Sequence, residues 1–158
     1  MPVHKPSELP GLLRRGERLL GLDLGEKTIG LAVSDSALGV ASALETLRRS
    51  KFTKDAAALK EIIAARKIGG LVIGLPVNMD GSEGPRSASV RQFAANLEAL
   101  AGLELPVAFW DERLSTAAVE RVLIGEADMS RKRRSQVVDK MAAAYILQGA
   151  LDALAAGS

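Results

Sequence analysis

Four acidic side chains sit where a folded chain would not leave a carboxylate idle. Asp23 lies inside the apolar stretch GLDLGEKTIG, with Leu22 and Leu24 on either side. Burying an unpaired carboxylate there costs several kcal/mol in effective terms, so a cation should compensate it. Asp111 and Glu112 end a second apolar run, Leu105 to Trp110, and Asp139 opens the helical segment VVDKMAAAYIL. Helical spacing puts Asp139, Ala142, Ala143, Ile146 and Ala150 on one face, where small residues let a helix approach a sheet closely. Carboxylates that converge in this way bind hard divalent cations such as magnesium or manganese. Taken singly, each acid has a plainer reading. Asp139 would be favoured near a helix start by the macrodipole, and Asp111 or Glu112 would pair with Arg113.

Basic and flexible groups accompany these acids. Gly21, Gly25 and Gly30 flank Asp23 and would admit a phosphate or a neighbouring backbone, with Lys27 and Thr28 in the same turn as phosphate contacts. The segment GLPVNMDGSEGPR is long, polar and pinned by glycines and prolines, a loop type that more often carries function than structure. Arg86 ends it. The run Arg131, Lys132, Arg133 and Arg134 sets four positive charges just before the Asp139 helix and suits a phosphate backbone better than a merely solvated face.

The elements that must position these groups follow from periodicity. Leu19–Gly25 and Thr28–Ser34 suit a hairpin, and Val40–Leu47 a third strand. Thr53–Lys67 has helical spacing with Thr53 as N-cap, and GLVIGL at Gly70–Leu75 reads as a strand buried on both faces. Further helices are expected from Arg86 to Leu100, from Ser115 to Ile124 and from Gln136 to Leu154, with Gly125–Ser135 as a loop. The expected fold is α/β, a mixed sheet of five strands with helices on both faces.

Composition sets the bounds. A chain of 158 residues suits one domain, read as residues 19–158 after a flexible basic extension over 1–18 that carries three prolines. That extension accounts for the whole net charge of +2, so nucleic-acid binding must come from local patches. No cysteine is present, which excludes thiolate chemistry and cysteine-ligated zinc, and the single histidine, His4, lies in the extension. No apolar run approaches a membrane span or a signal peptide, so a cytoplasmic location is expected. Aromatic residues make up only 3%, which argues against base stacking as the main recognition device.

Four segments, GLDLGEKTIGLAVSD, VIGLPVNMDGSEGPR, DERLST and VVDKMAAAYIL, resemble in order the signatures of the YqgF (RuvX) family of Holliday-junction-resolvase-like proteins. The resemblance implies an RNase H-like fold with strand order 3-2-1-4-5. It also implies a nuclease acting on the precursor of 16S ribosomal RNA in ribosome biogenesis, with branched DNA as a related substrate. By the same carry-over Asp23, Glu112 and Asp139 are the catalytic, metal-binding acids, with Lys27, Thr28, Arg86, Arg113 and Arg131–Arg134 as nucleic-acid contacts. Junction resolvases carry an acid after the fourth strand; here that strand runs into Gly74-Leu75-Pro76-Val77-Asn78. Its replacement comes from the next strand, roughly 10 Å from the first, and the longer reach favours Glu112 over Asp111. Two alternatives stand beside the nuclease: an ATP-binding protein of the actin and Hsp70 type, and a non-catalytic module that binds nucleic acid or polymerase. Both a single chain and a homodimer are compatible with the sequence.

Overall fold

The computed structural model describes residues 3–114 and 131–156, and for 131–139 the backbone only. The sheet holds β1 (Val3–His4), β2 (Arg18–Leu24), β3 (Thr28–Ser34), β4 (Ala41–Arg48), β5 (Ile68–Leu75) and β6 (Val107–Asp111). Its helices are α1 (Phe52–Arg66), α2 (Pro85–Ala99) and α3 (Arg131–Ala155), with short 3-10 turns at Pro6–Leu12 and Glu112–Leu114. The spatial order is β1-β6-β5-β2-β3-β4. β2, β3 and β4 are antiparallel neighbours, whereas β5 pairs in parallel with both β2 and β6. The expected five strands occupy contiguous places, and a sixth extends the sheet.

That sixth strand corrects the reading of residues 1–18 as a flexible extension. Val3 and His4 pair with Val107 and Ala108 on the open edge of β6. Leu9, in the following 3-10 turn, is fully buried, and Leu13 packs against the same cluster. Gly69 and Gly70 make room for Leu13: a Cβ on Gly69 would lie 2.8 Å from its Cδ2. Prolines and charges signalled a loose segment, but two leucines found a seat only the folded sheet provides.

Strand alternation sorts the core into two layers. Leu20, Leu22, Leu24, Leu71, Ile73 and Leu75 face α1 and α2, together with Val90, Phe93 and Leu97. Leu19, Val72 and Ala108 face the other way, against Ala143, Ile146, Leu147 and Ala150 of α3. β5 is buried along its whole length because helices cover both its faces. α3 comes very close to β2, so a Cβ on Gly21 would meet Leu147 Cβ at 2.8 Å and the Ala143 carbonyl at 3.1 Å. The small residues of α3 and Gly21 set this spacing together.

Helix starts differ from expectation. α1 begins at Phe52 with Lys51 at the N-cap rather than Thr53. No side chain caps the helix; Asp55 instead turns back to accept the Ser50 backbone N–H at 3.1 Å and fixes the segment that leads into it. α2 starts at Pro85, whose fixed φ suits the first helical position. α3 is already helical at Arg131, five residues before Gln136, so the basic run belongs to the helix and not to a preceding loop. Arg and Lys are good helix formers and no breaker separates them from Gln136. Asp139 therefore stands at least two turns into α3 rather than in its first turn. The helix expected over Ser115–Ile124 lies outside the described residues. No helix among the described residues is long and apolar enough to cross a membrane.

Candidate active site

Asp23 is the penultimate residue of β2 and points to the α3 side of the sheet, the opposite face from Leu22 and Leu24. Glu112 follows the last residue of β6, two strands away across β5. The gap between them is closed at Gly74. This residue pairs with Trp110 in the β5–β6 ladder and lies one step beyond the Leu22–Ile73 pair of the β2–β5 ladder. With no side chain there, the Glu112 chain folds over β5, and its Oε1 would lie 2.7 Å from a Cβ on Gly74. The carboxyl groups of Glu112 and Asp23 meet in a hydrogen bond.

The electrostatics of this pair follow from its position. Burial first, then the negative charge of Asp23, then their shared hydrogen bond push the Glu112 carboxyl up to about 7. Arg86 opposes the shift through its positive charge, and Asp111 adds to it. Near neutral pH the pair therefore readily holds one proton between two acids. A divalent cation, with hard oxygen ligands, is the natural substitute for that proton. Among the described residues no three His, Cys, Asp or Glu side chains gather at metal-binding spacing, so the pair supplies two donors. Position 139 lies one helical turn before Ala143, which packs on Gly21, and its side chain is outside the described set.

Asp111 and Glu112 have separate roles in the structure. Asp111 is bound by Arg113, whose Nη2 and Nε donate to Oδ2 at 2.6 and 2.9 Å, and this ion pair holds the Asp111 carboxyl below its ordinary range. Arg113 also donates from Nη1 to the backbone carbonyls of Asn78 and Met79, each at 3.3 Å. Arg113, expected among the phosphate contacts, is paired with Asp111 in this structure. Its charge is neutralised by Asp111, and its fork straps the loop after β5 to the end of β6. The same loop is closed by the Val77–Glu83 bridge and by the Asn78 N–H to the Ser82 carbonyl at 2.8 Å.

The remaining expected contacts are dispersed. Lys27 is exposed in the β2–β3 turn, where its carbonyl accepts the Arg49 N–H at 2.8 Å. Thr28 begins β3, and its carbonyl accepts the Gly25 N–H at 2.9 Å. Arg86 is exposed in the first turn of α2. The backbones of Arg131, Lys132, Arg133 and Arg134 lie within α3, and their side chains are outside the described set. His4 pairs with Glu8 at 3.4 Å on β1, opposite residues early in β6, so it stands away from the acid pair. Sequence reasoning missed Arg49, which lines a pocket beside this site with Arg86. Only its place at the end of β4, next to the hairpin, would have signalled it.

The RuvX model, described as Holliday junction resolvase, matches residues 17–153. The chain belongs to the RuvX family. A relative from Paramagnetospirillum magneticum, named "Putative pre-16S rRNA nuclease", is 61% identical over 152 residues, 96% of each chain. Another of the same name from Roseobacter denitrificans is 65% identical over 134 residues, covering 85% of this chain and 82% of its own. The fold is that of RuvC. T. thermophilus RuvC in complex with a Holliday junction substrate superposes with a TM-score of 0.56 at 18% identity, covering 90% of this chain and 98% of its own. Membership makes this RuvX-family chain a nuclease with an RNase H-like fold, and sets aside the ATP-binding alternative. Divalent-metal dependence is the general property that such membership implies.

Proposed function

We propose that this chain hydrolyses phosphodiester bonds in structured RNA, at the 5′ end of the 16S ribosomal RNA precursor, as a step in ribosome biogenesis in the cytoplasm. Branched DNA is the second substrate class. The observation that carries the reading is the Asp23–Glu112 pair: two acids drawn together over Gly74, with Glu112 raised to about 7. The names of the close relatives support the RNA substrate, and the family description supports branched DNA.

Asp23 and Glu112 would hold magnesium or manganese, with Asp139 proposed as a third ligand. A divalent cation held there would supply the chemistry of polarising a water and offsetting negative charge on the leaving oxygen. Asp23, fixed within β2, sets the position of the scissile phosphate relative to the sheet. Glu112 comes from a different strand and closes the site only when β5 and β6 are in register. Lys27, Thr28 and Arg86 contact the phosphates on either side, and the Arg131–Arg134 run holds the backbone farther out. The one histidine of the chain is remote, so no imidazole serves as base.

The test is a cleavage panel of structured RNA, single-stranded RNA and four-way DNA junctions, with and without manganese, using wild-type protein and Asp23→Asn. Manganese-dependent cutting of structured RNA, lost in Asp23→Asn, is expected. Tight binding with no cutting under any metal would instead make the chain a non-catalytic nucleic-acid module.

A further inference from the structure

A cavity of about 220 Å³ opens beside the acid pair, on the α2 side of the end of β2. Leu24 and Gly25, the residues directly after Asp23, form one wall; Arg49, Arg86, Ser89 and Phe93 form the others. Neither arginine forms an ion pair with a carboxylate among the described residues, although Glu26 stands on the rim. Arg49 is held in place. Its Nη1 donates to the Gly25 carbonyl at 2.6 Å, and its guanidinium lies 5.5 Å from the centre of the Phe93 ring. One of its five N–H groups is used in that bond, and the planar fork is fixed before any ligand arrives. Arg86 stands between the two places, since its charge also reaches Glu112.

We propose that this cavity is a phosphate subsite, in which Arg49 and Arg86 clasp a nucleotide phosphate neighbouring the one that is cut. The proposal rests on the nuclease reading above and adds to it a second anchoring point. The chemistry fits the residues: two guanidinium groups, one preorganised, with a hydroxyl from Ser89, suit a tetrahedral oxyanion through charge-assisted, forked hydrogen bonds. The placement fits a polymer. Asp23 faces α3 while Leu24 and the cavity face α2, so a strand laid across the tip of β2 engages both sides of the sheet at once. Anchoring a neighbouring phosphate fixes the register of the strand, and hence which bond meets the acids. The occupant is either an internal diester or a terminal 5′-phosphate.

The experiment measures binding by fluorescence anisotropy, with calcium as the only divalent ion. The probes are short single-stranded oligoribonucleotides of one sequence. One series carries a single uncharged methylphosphonate linkage at each position in turn; a second pair ends in 5′-phosphate or 5′-hydroxyl. For wild type, neutralising one linkage besides the scissile one weakens binding about tenfold, or removing the 5′-phosphate does so if the end is the occupant. In Arg49→Gln that position-specific penalty shrinks below about twofold, and the log-log salt slope drops by about 0.7. Arg86→Gln, altering the opposite wall, gives the same loss of penalty and serves as the test should Arg49→Gln fail to fold by circular dichroism. Equal penalties at that position in wild type and both variants would overturn the subsite while leaving the nuclease reading intact. Wild-type protein that binds structured RNA but none of these probes would also overturn the subsite, whereas failure to bind either would overturn the nuclease reading on which it rests.

Discussion

Replacing Glu112 by Gln removes the titrating member of the acid pair while keeping its shape, and the structure sets the size of the effect in metal-free protein. The Glu112 carboxyl rises from 4.5 to about 7 on folding. A raised carboxyl pKa means that the folded state holds its proton more tightly than the unfolded chain. Below about pH 4.5 both states are protonated and no penalty exists. As pH climbs through the window between 4.5 and 7, the unfolded chain releases its proton first, and folding stability falls; above 7 the loss is complete. At 1.36 kcal/mol per unit the ceiling is about 3 kcal/mol, and partial solvent access at Glu112 with sharing across the pair reduces it to about 1–2. Urea unfolding in chelator-treated buffer at pH 5, 6, 7 and 8, followed by fluorescence of the single tryptophan, reads it directly. Relative to wild type, Glu112→Gln should gain about 1–2 kcal/mol between pH 5 and pH 8, or roughly 2–8 °C in melting temperature. Saturating manganese at pH 8 should then stabilise wild type and leave the variant almost unmoved. Parallel stability profiles for the two proteins would show that Glu112 is not held against Asp23, and the argument for the site would fail with it.

Gly74→Ala tests how Glu112 reaches its partner. The new methyl displaces the ends of two flexible side chains, Glu112 and Ile146, so the protein should fold while cleavage drops at least about tenfold; unaltered cleavage would mean that the path over β5 is not needed. Asp23→Asn should abolish cleavage with thermal stability equal or higher, because repulsion within the metal-free pair is relieved; pronounced unfolding would make Asp23 a structural residue. Asp111→Asn should free Arg113 and loosen the loop after β5, raising KM more than it lowers kcat in a steady-state assay. A loss of kcat as deep as that of Glu112→Gln would assign Asp111 to the chemistry. Replacing Arg131, Lys132, Arg133 and Arg134 by Ser should weaken all nucleic acids about equally and lower the salt slope by up to about 3 on single strands; an unchanged slope returns the run to a solvated surface.

Much of the architecture was legible because it is local. Continuous apolar runs announced β2, β3 and β5, and alternation around Asp23 marked it as a carboxylate placed at a cost within a strand. The acids after Trp110 were visible for the same reason, since a buried strand that ends in Asp-Glu-Arg leaves its charges at an edge. Helix boundaries were less secure. Arg and Lys continue a helix as readily as they line a loop, so nothing local separated residues 131–135 from α3.

What only the tertiary structure decided was which neighbours these residues acquire. Glu112 rather than Asp111 meets Asp23 because Gly74, from the strand between them, leaves a path for the longer side chain, and Arg113 binds the shorter one. The N-terminal segment became part of the sheet because β6 offered it an open edge and Gly69–Gly70 a seat for Leu13. Arg49 joined Arg86 because β4 ends two strands from β2, beside the first turn of α2. Each of these contacts links residues far apart in the chain. Periodicity reports which face a residue takes, whereas the partner on that face is set by how the layers close.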